Sequence, residues 1–222
     1  KNGMKPQPIL VMLRHNKQID PEDLEVSLLA CAGIDEAGRG PLAGPVIAAA
    51  VILGDGADWS EVNDSKKISE SKRETLSTYI KSHALAWSIG RAEVAEIDDL
   101  NILNASLLAM QRAFSGLDCK TELVLVDGNF SPEFDVLSYA VVKGDQRVKA
   151  IAAASIIAKV ARDQEMRDLH LDFPLYGFAQ HKGYPSANHL SALKQHGPCS
   201  HHRTSFRPVR ECLHSKHADQ IS

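Results

Sequence analysis

The stretch GIDEAGRGPLAGPVIAAAVIL, residues 33–53, decides how this chain folds. Leu28 to Ile34 is a mostly apolar run that enters Asp35-Glu36, and Val46 to Leu53 is nearly all apolar. Short apolar runs bounded by turn residues are buried strands. Between them Gly38, Gly40 and Gly44, with Pro41 and Pro45, interrupt any regular element. The stretch therefore reads as two neighbouring strands with an acidic pair at the end of the first.

Working outward, Glu70 to Ser82 has helical character, and Ala84 to Glu93 is expected to add a third strand to a meander. Ile97 to Phe114 carries apolar residues at 100, 103, 107, 108, 110 and 114, which predicts one amphipathic helix. Leu123-Val124-Leu125-Val126 is a short strand stopped by Asp127-Gly128, and Val136 to Val142 is another, ended by Lys143-Gly144-Asp145. Arg147 to Leu169 predicts a long helix whose middle, IAAASIIAKVA, is apolar nearly all round and so belongs inside the molecule. A meander followed by alternating strands and helices indicates an α/β fold, a mixed β-sheet flanked by helices. Three segments are expected: a polar N-terminal segment, 1–27, with a helix start at Asp20-Pro21-Glu22-Asp23; an α/β body, 28–172; and a helical, cationic extension, 173–222.

The chain has 222 residues, 44% hydrophobic and 24% charged, which excludes collagen, coiled coil and disorder. A chain of this size buries roughly 70% of its unfolded surface, enough for a core of its own. No apolar run approaches the roughly 18 residues of a membrane span. Ile9 to Leu13 is too short for a signal-peptide core, so a cytoplasmic protein is expected. Cys31, Cys119, Cys199 and Cys212 are scattered, without a Cys-x-x-Cys pair, as in proteins of a reducing compartment.

Charge is distributed unevenly. Residues 1–172 hold 19 Lys and Arg against 26 Asp and Glu, whereas Phe173 to Arg210 holds five cations, five histidines and no acid. A cationic strip beside an acidic body suits a polyanion held on one side while carboxylates work on the other. Alone, such a strip is more often a solvated surface.

Four acids stand where acids are costly. Asp35 and Glu36 close one apolar strand, and Asp127 closes another, at the strand ends where open α/β sheets gather their binding sites. Asp163 follows the apolar helix on the face of Ala152, Ile156 and Lys159. Singly, Asp127 reads as a turn residue and Asp163 as a helix-end acid or an ion pair with Arg162 or Arg167. Together, converging carboxylates repel unless they protonate or a cation binds, and hard Mg²⁺ or Mn²⁺ ions suit all-oxygen ligands. Two such ions would activate water and stabilise the leaving oxygen in phosphodiester cleavage. The Gly38-Arg39-Gly40 turn beside the first pair lets backbone amides approach a ligand, with Arg39 as a charged donor. It is no Walker loop, because no Gly-Lys-Ser/Thr follows.

GIDEAGRGPLAGPV resembles the opening motif of type 2 ribonucleases H (ribonuclease HII). The likeness continues through NDSKKIS, LVDGN, VKGD, AAASIIAKVARD, FPLYGFAQHKGYPSANH and HRTSF, covering roughly residues 28–210. The resemblance implies a ribonuclease H-like fold with a small helical C-terminal extension. It implies catalytic, metal-ligating roles for Asp35, Glu36, Asp127 and Asp163, with two Mn²⁺ or Mg²⁺ ions. It also implies contact of Gly38, Arg39 and Gly40 with a ribonucleotide 2′-hydroxyl, the group that separates RNA from DNA. Tyr184 matches the tyrosine that packs on the following deoxyribose, and Lys66 a lysine near the scissile phosphate. HRTSF, with Arg203, is expected to serve structure or backbone contact.

The implied reaction is cleavage of the RNA strand of RNA–DNA hybrids and incision of duplex DNA 5′ to embedded ribonucleotides, leaving 3′-hydroxyl and 5′-phosphate ends. A monomer is expected. Type 3 relatives carry a large extra N-terminal domain and lack the Gly-Arg-Gly signature, and only 34 residues precede Asp35. The tail HSKHADQIS shows no sliding-clamp motif. Rival readings are a DNA-specific nuclease or resolvase on the same fold, a catalytically dead hybrid-binding protein, and a zinc module built from Cys199, His201, His202, Cys212 and His214. The spacing of the last set fits no standard zinc motif.

Overall fold

A computed structural model describes residues 14–15, 18–23 and 30–219. Its centre is a five-stranded sheet: β1 (Ala32–Ala37), β2 (Val46–Ile52), β3 (Ala86–Ala92), β4 (Leu123–Asp127) and β5 (Leu137–Val141). The spatial order is β3-β2-β1-β4-β5. The first three strands form the antiparallel meander, and β4 and β5 join parallel to β1. Val46–Ile52 is buried along its whole length because helices cover both faces of a central strand.

Side chains alternate across these strands, so two cores form. One face carries Ala49, Val51 and Leu125 against Ile151, Ile156 and Ile157 of the 24-residue helix α4 (Lys149–Asp172). The other carries Ile34, Ala48 and Val126 against Leu107, Ala109 and Met110. Helix α4 lies directly on the β1 backbone: a Cβ at Gly33 would stand 2.2 Å from the carbonyl carbon of Ala150. The Ala-rich run that looked buried in sequence is buried because only small side chains permit that approach.

Helix α1 (Glu70–His83) starts at Ser69, whose hydroxyl accepts from the Lys72 N–H. The single helix expected over 97–114 is instead two, α2 (Val94–Leu100) and α3 (Ile102–Ser115). Asn101 separates them at φ 68°, and its side chain accepts from the N–H groups of Leu103 and Asn104. Asparagine tolerates the left-handed region and caps well, so it ends one helix and begins the next without disturbing the apolar period.

In the N-terminal segment Arg14–His15 pairs with Ser131–Pro132, and Pro21–Asp23 forms one 3₁₀ turn. Residues 28 and 29, expected in the first strand, lie outside the described residues. The C-terminal region holds the short helices α5 (Phe178–His181), α6 (Ala187–His196) and α7 (Arg207–Asp219). Its small core takes Ala43 and Met166 from the body and adds Tyr176 and Phe178. Among the described residues no helix is long and apolar enough to cross a membrane.

Candidate active site

Parallel pairing of Ile34 with Val126 brings the ends of β1 and β4 level, so Asp35 and Asp127 emerge side by side on the α4 face. Asp35 is buried, and its neighbours raise the cost of its charge. Burial first, then the charges of Glu36 and Asp127, push its carboxyl well above the usual range. Burial also raises Glu36, against the pull of Arg39, whose Nη1 lies 3.3 Å from Glu36 Oε1. Asp127 is raised by burial and by Asp145, while N–H donation from Asp145 and Gly144 counters it. The paired acids read from the strand ends thus share one electrostatic site.

Asp163 projects from α4, buried, with Lys159 Nζ 2.7 Å from its Oδ1. Its partner is thus Lys159, one turn back, rather than Arg162 or Arg167. Helix α4 runs alongside β1 in the same direction, meeting Gly33 through Ala150, Asp35 through Ser155 and Gly38 through Arg162. Asp163 therefore belongs to the Gly38 end of that path.

Further polar residues complete the floor. The Ser155 hydroxyl bonds Asp35 and stands 2.6 Å from the Ser65 hydroxyl. Asp64 caps the Ser65–Lys67 turn by accepting from the Lys66 N–H. Lys66 Nζ reaches Asp145 Oδ2 at 3.3 Å. Burial draws the Lys66 ammonium down, but Asp145, Asp35 and Asp64 more than offset it, and its proton is held more tightly than usual. Asp145, Asp64 and Ser155 were absent from the sequence-derived site. A lone serine inside IAAASIIAKVA was the legible sign of one of them.

The Gly38-Arg39-Gly40 turn is held from behind by two buried arginines. Arg203 donates to the carbonyls of Gly38 (2.7 Å), Arg39 (3.0 Å) and Gly44 (2.8 Å). Arg162 donates to Pro45 and Ala43 at 3.2 Å and to Lys182 at 3.0 Å. No peptide in the described chain is cis, so the N–H groups of Arg39 and Gly40 point opposite to those carbonyls, toward the exposed side. Gly38 sits at φ +102°, and a Cβ there would lie 2.1 Å from Arg162 Nε. Burial, with Arg162 nearby, lowers the Arg203 guanidinium to about 9, so it remains cationic at neutral pH. Asp98 fastens the same region, accepting from the N–H and hydroxyl of both Thr204 and Ser205.

Tyr184 leans on this turn. A Cβ at Gly40 would be 3.5 Å from its Cε1, and the Arg162 guanidinium lies 6.0 Å from its ring centroid. The residue is 44% exposed. Leu42 N–H donates to Gly183 O at 2.8 Å, which stitches the two segments together.

The donor set suits a divalent cation in its chemistry: oxygen ligands only, with three carboxyls that already repel one another. Among the described residues no three Asp, Glu, His or Cys side chains are disposed around one point as they stand. Arg39, Lys66 and Lys159 carry the neutralising charge, on Glu36, Asp145 and Asp163.

Comparison with known proteins gives the same outline. Ribonuclease H2 from Pyrococcus horikoshii OT3 is 25% identical, with a TM-score of 0.67, over 83% of this chain and 97% of that one. RNase HII from Archaeoglobus fulgidus, determined as a complex with PCNA, is 27% identical, with a TM-score of 0.68, over 80% and 95%. A mutant Bst-RNase HIII, at 16% identity and a TM-score of 0.67 over 86% and 71%, shares the fold. The Ribonuclease HII family profile matches residues 32–209. With that match spanning most of its length, the chain belongs to the ribonuclease HII family, divalent-metal-dependent endonucleases whose membership implies action on RNA–DNA hybrids.

Proposed function

We propose that this protein cuts the RNA strand of RNA–DNA hybrids and incises duplex DNA immediately 5′ to an embedded ribonucleotide, leaving 3′-hydroxyl and 5′-phosphate ends. The observation that carries this reading is the single short segment, residues 35–40, that joins a buried and a part-buried carboxyl to a turn with outward N–H groups. Recognition and cleavage are then a fixed few residues apart. Such a segment makes the bond beside the recognised sugar the one that breaks.

Asp35, Glu36, Asp127 and Asp163 would hold two Mg²⁺ or Mn²⁺ ions. When bound, such ions supply water activation and neutralisation of the charge that develops on the phosphate. The chain's own residues do the selecting. The N–H groups of Arg39 and Gly40 meet the 2′-hydroxyl, which DNA lacks. Tyr184, partly exposed beside Gly40, offers its ring to the next deoxyribose, and a flat ring is well suited to a sugar face. Lys66, held protonated by the acids around it, stands ready for the scissile phosphate.

The test is a labelled DNA duplex containing one ribonucleotide, incubated with Mg²⁺, Mn²⁺ or EDTA beside an all-DNA control. The expected result is a metal-dependent cut on the 5′ side of the ribonucleotide with the control intact. Cleavage of the all-DNA duplex would replace this reading with a DNA-specific nuclease or resolvase. Binding without any cut would leave a hybrid-binding protein.

A further inference from the structure

Beneath Tyr184 lies a group of histidines that the reaction does not use. His189 and His202 are fully buried, their Nε2 atoms 3.0 Å apart. At one end of the pair, the Cys199 N–H meets His202 Nδ1 at 3.0 Å. At the other, His189 Nδ1 lies 2.9 Å from the carbonyl oxygen of Tyr184.

These contacts settle both tautomers. A backbone N–H can only donate, so His202 Nδ1 carries no proton and His202 Nε2 carries one. That proton points at His189 Nε2, which must accept it, so the His189 proton is on Nδ1. A carbonyl can only accept, so Nδ1–H donates to Tyr184. Reasoning from either end gives the same assignment: two neutral imidazoles, every ring nitrogen used, all donors running toward Tyr184.

A second histidine braces the same turn. His181 accepts from the Gly183 N–H through Nδ1 at 3.2 Å and donates to Tyr176 O through Nε2 at 2.7 Å. Its ring stacks on His189 with centroids 4.5 Å apart. The groups facing this cluster are His170 and Arg162 of α4, Lys182, Tyr176, Cys199 and His201. None of them is a carboxylate that would favour an imidazolium. Burial accordingly pulls His181, His189 and His202 below the ordinary histidine value.

We infer that His189 and His202 are positioning residues for Tyr184: a directional relay of two neutral imidazoles pins the Tyr184 carbonyl and thereby holds the ring against Gly40. One added proton leaves the relay with two donors face to face, or with His202 Nδ1 unable to accept from Cys199. Either event breaks the chain of donors that ends at the Tyr184 carbonyl, which also accepts from the Ser186 N–H at 2.8 Å. The inference rests on the reading of Tyr184 as a substrate contact, so its test includes Tyr184 itself.

The readout is the ratio of kcat/KM on a single-ribonucleotide duplex to kcat/KM on a long uniform hybrid. Tyr184 contacts the deoxyribose after the ribonucleotide, so only the first substrate depends on it. Tyr184→Ala, which removes the ring that packs on the sugar, and His189→Leu, which removes the hydrogen bond to the Tyr184 carbonyl, should each lower this ratio about tenfold. His189→Asn, whose amide can still donate to Tyr184 O, should stay within about twofold of the parent. If Tyr184→Ala leaves the ratio unchanged, the substrate role of Tyr184 fails. If Tyr184→Ala lowers it and His189→Leu does not, the relay fails and the tyrosine role stands. A measurement on the unaltered protein covers a variant that does not fold: ¹⁵N spectra of labelled histidine at pH 7 should show Nδ1–H for His189 and Nε2–H for His202. The opposite tautomers, or a doubly protonated ring, would overturn the inference.

Discussion

Arg203 donates to the carbonyl of Gly38 at 2.7 Å across 165 residues of sequence. The guanidinium is fully buried and bonded to loop carbonyls, so it fixes both the shape of the turn and the direction in which its N–H groups face. Arg203→Ala leaves several buried acceptors without donors and should cost at least about 3 kcal/mol, read from urea denaturation. Arg203→Lys keeps the charge but not the planar fork, so it should fold and lose preference for ribonucleotide over DNA.

Asp127→Asn should abolish cleavage while hybrid binding persists, because it removes a proposed ligand without touching the turn. The same change should stabilise the metal-free protein. Asp35, Glu36 and Asp127 all sit above their ordinary values, so the folded state disfavours charges that the unfolded chain bears freely. Relieving one repulsion should raise Tm by about 2–4 °C per kcal/mol gained. A lower Tm for the variant in EDTA would contradict the crowding of these acids.

Lys159 neutralises Asp163, one turn away on α4, at 2.7 Å. A cation recruited to Asp163 must compete with that ammonium. Lys159→Met should therefore lower the half-saturating Mg²⁺ concentration, by about two- to fivefold for a partly exposed pair. Titration calorimetry or activity against Mg²⁺ concentration would show it, and an unchanged midpoint would separate Asp163 from the metal site.

Acid stability should depend on His202, which burial lowers from 6.5 to about 4. Between these values the unfolded chain binds the proton and the folded protein does not, so stability falls as pH drops from 6.5 toward 4. The full effect is roughly 3 kcal/mol. Urea denaturation at a series of pH values, with His202→Gln for comparison, isolates it: the variant's profile should be flatter across that interval.

Much of the scaffold is local in origin. The strand runs, the long Ala-rich helix and the acids closing Ile34 and Val126 are readable because burial imposes its own period on the chain. The boundary at Asn101 escaped that reading, since a capping asparagine leaves the apolar pattern of α2 and α3 uninterrupted. Tyr184 entered through family resemblance, and periodicity alone would have left it a packing residue.

By itself, then, the sequence determined the element types, the acids at the strand ends and the glycine turn beside them, because each depends on residues a few positions apart. Only the tertiary structure decided that Asp145 and Ser155 join Asp127 and Asp35, and that Arg162 and Arg203 brace the turn from within. It also decided that His202, His189 and Tyr184 form one directed chain. Hydrogen bonds and charges act over a few ångströms of space, and which residues share that space is settled by how the sheet and its helices pack, whatever their separation along the chain.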